Sequence, residues 1–151
     1  MSGWRKKQID ELNGVDMTMP AGKYYVGDLC YVMHECWDEV CGLFFKGRTD
    51  MGCNEGEFVL KDGRRFVSYN TKWGDGGYYD QNGNEYSVDA GLIGCIRVDD
   101  IDFTDEGNNM NGGEVWEFRT DFDHAGGRSE QGRDWDGVIQ IGHVSINTDF
   151  S

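Results

Sequence analysis

Proline is almost absent from this chain: Pro20 is the only one in 151 residues. Polyproline segments and Pro-stiffened linkers are therefore excluded. Positive charge is scarce too, with 14 Lys and Arg against 28 Asp and Glu, a net charge of −14. Such a surface repels duplex nucleic acid and anionic membranes, so direct nucleic-acid binding and membrane association are not expected. No apolar run approaches the ~20 residues of a membrane span, and the N-terminal Met-Ser-Gly-Trp-Arg-Lys-Lys has no apolar signal core. The five cysteines, Cys30, Cys36, Cys41, Cys53 and Cys95, are odd in number and contain no CxxC pair. They read as reduced thiols of a cytoplasmic protein.

What the chain does have is glycine and aromatic residues: 23 Gly, 5 Trp, 7 Tyr and 8 Phe. Large rings let a modest set of side chains bury much area, and glycine supplies turns and bulges. Lys23–Asp28 and Leu29–Met33 read as β, with a bend at Gly27-Asp28. His34 to Phe45 reads as a helix, because Trp37, Val40, Cys41 and Phe44 share one face and Gly47 offers a stop. Two hairpins follow. Glu57–Lys61 and Arg64–Tyr69 flank Asp62-Gly63, for which a type I′ turn is expected; Gly77–Asp80 and Glu85–Val88 flank Asn82-Gly83. Gly91–Val98 is the most apolar run and reads as a central strand, followed by one helical turn at Val98–Ile101. Glu114–Arg119 and Val138–Ile146 complete the strands.

Short strands with turn signals every eight to twelve residues predict a mainly β, α+β fold. The expected form is a twisted antiparallel sheet or partly open barrel with one covering helix near 34–46. Residues 1–19, with Arg5-Lys6-Lys7, read as a flexible N-terminal arm, and 20–151 as a single domain. A homo-oligomer is compatible with this reading.

Metal chemistry is weakly signalled. Asp80-Gln-Asn82-Gly-Asn84-Glu85 alternates oxygen donors as a calcium loop does, yet glycine falls one place early and position twelve is Gly91. His34, Cys36, Cys41 and Cys53 carry zinc-binding atoms at unsuitable spacing. No cofactor and no metal is expected. A phosphoesterase built on two His-x-Ser/Thr motifs is excluded, because only His143-Val-Ser145 fits. Asp75, Asp89 and His143 leave a metal-dependent hydrolase as an alternative. Ligand binding is better motivated. Tyr25, Tyr69, Trp73, Tyr78 and Tyr79 lie near strand ends beside glycines, with Asp75, and Lys72 and Arg97 could supply charge; Arg64 and Arg65 lie nearby in sequence. Aromatic faces stack on bases, and glycine admits phosphate to backbone N–H groups. A second surface is the acidic 99–136 region, where Asp121, Asp123, Asp134 and Asp136 could meet a basic partner or imitate a phosphate backbone.

Gly27-Asp-Leu-Cys-Tyr-Val32 and Gly74-Asp-Gly-Gly-Tyr-Tyr-Asp-Gln-Asn-Gly-Asn-Glu-Tyr-Ser-Val-Asp-Ala-Gly-Leu-Ile-Gly94 resemble small uncharacterised proteins of phages and prophages, over roughly residues 22–100. The resemblance implies a phage-type origin and a role against host defence. The expected function is that of a non-enzymatic binding protein which sequesters a small nucleotide-like signal. The alternative is an acidic inhibitor that blocks a host defence protein or mimics DNA.

Overall fold

The computed structural model describes residues 18–49, 53–126 and 135–149. Among the described residues, ten strands form two antiparallel sheets. Sheet 1 contains β1 (Gly22–Gly27), β2 (Gly56–Val59), β3 (Arg65–Asn70), β6 (Leu92–Arg97) and β7 (Glu114–Phe118), in the order β2-β3-β6-β1-β7. Sheet 2 contains β4 (Gly76–Asp80), β5 (Glu85–Val88), β8 (His124–Ala125), β9 (Val138–Ile141) and β10 (Val144–Asn147), in the order β5-β4-β10-β9-β8. A 3₁₀ turn, His34–Cys36, runs into the helix α1 (Trp37–Phe45). The mainly β architecture with one covering helix is the predicted one; its antiparallel strands divide between two sheets.

The layering follows from side-chain alternation. Along β6, Ile93 and Cys95 join the core between the sheets, while Leu92 and Ile96 join the core under α1. β1 divides the same way, with Tyr24 and Val26 on one side and Tyr25 on the other. Strands β1 and β6 are thus buried on both faces, which is why their sequences read as continuous apolar runs, whereas the edge strand β7 exposes one face. Sheet 2 alternates instead: Tyr86 and Val88 point inward while Glu85 and Ser87 face out. One of its faces is wet. The inward set of β7, ambiguous in sequence, is Trp116 and Phe118, with Val115 and Glu117 exposed.

α1 packs Val40 and Phe44 onto Phe58 and Phe66, whose rings stack at 5.2 Å. Its C-terminus is closed by Asn54, whose Nδ2 donates to the Leu43 and Lys46 carbonyls (3.0 Å each) and whose backbone N–H donates to the Phe44 carbonyl (2.7 Å). The hairpins form where expected, but the first turn differs. Gly63 N–H donates to the Leu60 carbonyl (2.9 Å), Leu60 N–H donates to the Arg64 carbonyl (2.8 Å), and Gly63 has φ +97°. That is a three-residue loop, a type I turn closed by a left-handed glycine. A type I′ turn needs positive φ at Asp62 as well, and among the described residues only glycines adopt it. Asp80 to Asn84 repeats the same loop around Gly83. Val138–Ile146 is not one strand. Gly142, at φ +57°, turns β9 back into β10, the position a type II′ turn reserves for glycine.

The arm assigned to 1–19 lies outside the described residues up to 17. Met19 belongs to the domain: it is buried and exchanges two 2.9 Å backbone bonds with Phe122.

Candidate functional site

The eight residues predicted to line a ligand site fall into three places. Tyr25, Tyr69 and Tyr78 are core. Their rings are fully buried, and their hydroxyls are tethered to the Asp28 carbonyl (2.9 Å), His124 Nδ1 (2.7 Å) and the Gly74 carbonyl (2.8 Å) respectively. No face is left for a base to stack on. The physical reason is that tyrosine in an inward strand position buries its ring and sends its hydroxyl to a loop acceptor. Tyr24 and Tyr86 do the same, bonding the Pro20 carbonyl and Asp80.

Lys72, Trp73, Asp75 and Tyr79 do come together, at the β3–β4 turn and on the wet face of sheet 2. Thr71 Oγ1 donates to the Gly74 carbonyl (2.6 Å), and Lys72 N–H donates to Thr148 Oγ1 (3.0 Å), which pins the turn. The Trp73 indole N–H donates to Asp149 Oδ1 (3.0 Å), and the Lys72 ammonium lies 3.6 Å from the same oxygen and 5.8 Å from the indole ring. Trp73 is 63 % exposed and Tyr79 49 %. Tyr79 sits opposite Asn147, two residues from Asp149, and donates its hydroxyl to Glu85 Oε2 (3.4 Å). The result is a fixed, open indole bonded to the Asp149 carboxylate, with Glu85 meeting Tyr79 on the same sheet.

Arg97 lies elsewhere. β3 and β6 pair Phe66 with Ile96 and Asn70 with Leu92, so Arg97 and Trp73 leave opposite ends of the same strand pair. Five residues of strand separate those ends by about 17 Å. At the Arg97 end a cleft of about 220 Å³ opens, lined by Met19, Pro20, Tyr24, Arg65, Arg97 and Asp100 among others. The register that places Arg97 beside Tyr24 and near Arg65 joins strands distant in the chain, so no local signal foretold this cleft. Asp100 is partly buried there, which pushes its carboxyl above the usual range against the pull of Arg97 and Arg64.

The other candidates are tied into structure. Asp80 accepts bonds from Asn82 N–H, Asn84 N–H, Asn84 Nδ2 and the Tyr86 hydroxyl, so the calcium-like loop is a turn organised by one carboxylate held below its ordinary pKa despite burial. Cys36 is pushed up to about 12 by burial and by Glu35, and His34 pairs with Asp105 at 3.1 Å. Among the described residues no cluster of three or more His, Cys, Asp and Glu is placed to hold a metal. Asp75 and His143 sit at opposite ends of sheet 2, because β4 begins beside Asp75 and ends where β10 leaves His143. Asp89 accepts the Tyr31 hydroxyl, and the His143 ring packs on Trp116 and Phe118. Asp28, a fully buried carboxylate that the sequence reading passed over, accepts N–H bonds from Cys30 (2.9 Å), Asp89 (2.7 Å) and Ala90 (2.6 Å). Its signal was its place at the N-cap of the Leu29–Tyr31 turn.

On the acidic surface, Asp121, Asp123 and Asp136 are exposed, and Asp134 lies outside the described residues. Asp121 accepts the Ala21 N–H (2.9 Å), Asp123 the Thr18 hydroxyl (2.8 Å) and Asp136 the Val138 N–H (3.0 Å). Between residues 98 and 109 the chain is held by Arg64, which bonds Glu35, Asp62 and the Asp100 carbonyl, and by Asn108, which bonds Glu35 and the Asp102 carbonyl. Phe103 stands 51 % exposed on that loop, among Asp99, Asp102, Asp105 and Glu106. No helix of the described residues is long and apolar enough to cross a membrane. Comparison of the chain with protein-family models, with curated proteins and with solved structures finds no match.

Proposed function

We propose that this protein is a non-enzymatic binding protein that covers a basic face of a partner protein. In the phage setting implied by the sequence resemblance, the partner is a component of host defence. The observation that carries this reading is Trp73: a largely exposed indole, fixed by its bond to the Asp149 carboxylate. Trp and Tyr are the side chains that most often anchor protein interfaces, because they contribute large area at small conformational cost. The surrounding negative charge, on a chain of net −14, favours a positively charged partner and speeds its approach. The rigid 98–109 loop displays Phe103 in the same chemical setting.

Affinity capture from a bacterial lysate, with the wild-type chain and Trp73→Ala side by side, tests this. A discrete partner should bind the wild type and weaken as salt is raised. Loss of an anchor worth ~2 kcal/mol would weaken Trp73→Ala about 30-fold. A partner held equally well by Trp73→Ala would refute the placement. A second reading has one observation in its favour: the open Trp73 ring with the Lys72 ammonium beside it could stack a nucleotide base. Native mass spectrometry with a panel of mononucleotides and cyclic dinucleotides separates the two, since an adduct of nucleotide mass that Trp73→Ala abolishes belongs to the second reading.

A further inference from the structure

We propose that the cleft at the Arg97 end of the sandwich binds a small oxyanion, a carboxylate or a phosphate on a compact organic molecule. Arg97 lines this cleft and makes no hydrogen bond or ion pair with any described residue. Its neighbour Arg65 is committed, with Nε donating to Glu57 Oε1 (2.6 Å) and an Nη2 donating to the Thr18 carbonyl (3.1 Å). Its half-buried guanidinium feels the nearby Asp100 carboxylate, but no hydrogen bond to a described residue uses its donors. Its planar fork of donors matches a carboxylate or phosphate edge, which an ammonium would meet only as a point charge.

The cleft makes room for that fork. The Arg97 guanidinium lies over Gly22, where a Cβ would stand 3.3 Å from Nη2, and Gly22 has φ +153°, a backbone conformation suited to glycine. A volume of about 220 Å³ is below the ~300 Å³ at which drug-sized sites begin, so the ligand is metabolite-sized. Two further groups line the cleft beside Arg97. The Tyr24 hydroxyl donates to the Pro20 carbonyl (2.7 Å), which leaves its oxygen as an acceptor, and the Asp100 carboxyl lies in the same cleft. A hydroxyl or amine next to the anionic group would find the Asp100 carboxyl as an acceptor. The net charge does not forbid the approach. At 0.15 M salt, fields are screened beyond ~8 Å, so an anion inside the cleft meets Arg97, Arg65 already paired with Glu57, and Asp100 with Asp62 and Asp99 nearby.

The test is an NMR titration of the full chain with inorganic phosphate, and separately with acetate, at constant ionic strength, following the backbone N–H resonances of Tyr24, Arg65 and residue 97, which wild type and variants share. A saturable, single-site shift is expected. Arg97→Gln should weaken it at least ~10-fold, Arg97→Lys should fall in between, and Asp100→Asn should strengthen it by relieving repulsion. A linear shift that is the same in wild type and Arg97→Gln would overturn the proposal. Should Arg97→Gln fail to fold, Asp100→Asn decides alone: unchanged or weaker binding overturns the proposal. Trp73→Ala should leave the titration untouched, because Trp73 lies at the other end of the strand pair, so this proposal and the protein-binding reading fail separately.

Discussion

His124 shows how one buried side chain sets a pH response. It lies on the two-residue strand β8, is 4 % exposed, and pairs through Nδ1 with the Tyr69 hydroxyl at 2.7 Å. Burial pulls its pKa down to about 4, with Asp123 opposing and Arg65 adding to the shift. The folded value lies below the unfolded value of ~6.5, so the unfolded chain takes up a proton first as pH falls. The stabilisation is complete above ~6.5 and is lost as the pH falls toward ~4, a loss of about 3 kcal/mol. Urea midpoints at pH 7 and pH 5 should show about 2 kcal/mol of that fall in the wild type and a much smaller one in His124→Asn. An equal fall in both would exclude His124 as the cause. Nothing in the local sequence of His124 gives this away, because its burial depends on Tyr69, 55 positions back in the chain.

At the scale of elements, short-range chemistry is well encoded. Asp62-Gly63 and Asn82-Gly83 mark both hairpins, and the Trp37–Phe44 stripe marks α1. Finer features depended on partners. The helix stop is made by Asn54, which reaches back to two carbonyls from beyond the helix. Asn54→Ala should cost about 2 kcal/mol, roughly two net hydrogen bonds, read as a lower urea midpoint with unchanged m. A midpoint shift under ~0.5 kcal/mol would mean that water replaces Asn54 at no loss. The loop at Leu60–Arg64 has three residues instead of two because Asp62 keeps negative φ and only Gly63 turns left-handed.

For the whole molecule, charge is the dominant global property. At −14, self-repulsion opposes the compact state, and salt screens it. Raising NaCl from ~0.05 to ~0.5 M should therefore raise the thermal midpoint. A lower midpoint would show that paired groups such as Arg64 with Glu35 and Asp62 outweigh the repulsion. The same charge governs the proposed partner association, which should slow steeply with salt if the Trp73 face meets a basic surface.

Composition and periodicity by themselves determined that this chain is mainly β with one covering helix, because strand alternation, glycine turns and a helical apolar stripe are written within ten or so residues. They also supplied the acidic surface, which is a sum over residues and needs no fold. The tertiary structure decided which aromatics face solvent. Tyr25, Tyr69 and Tyr78 sit in motifs as glycine-rich as those of Trp73 and Tyr79, yet only the packing of two sheets and a helix determines which rings are enclosed. It alone also brought Arg65 and Arg97 to one cleft and set that cleft apart from Trp73, since register between strands whose pairs lie more than 20 residues apart is fixed by packing and leaves no mark in local sequence.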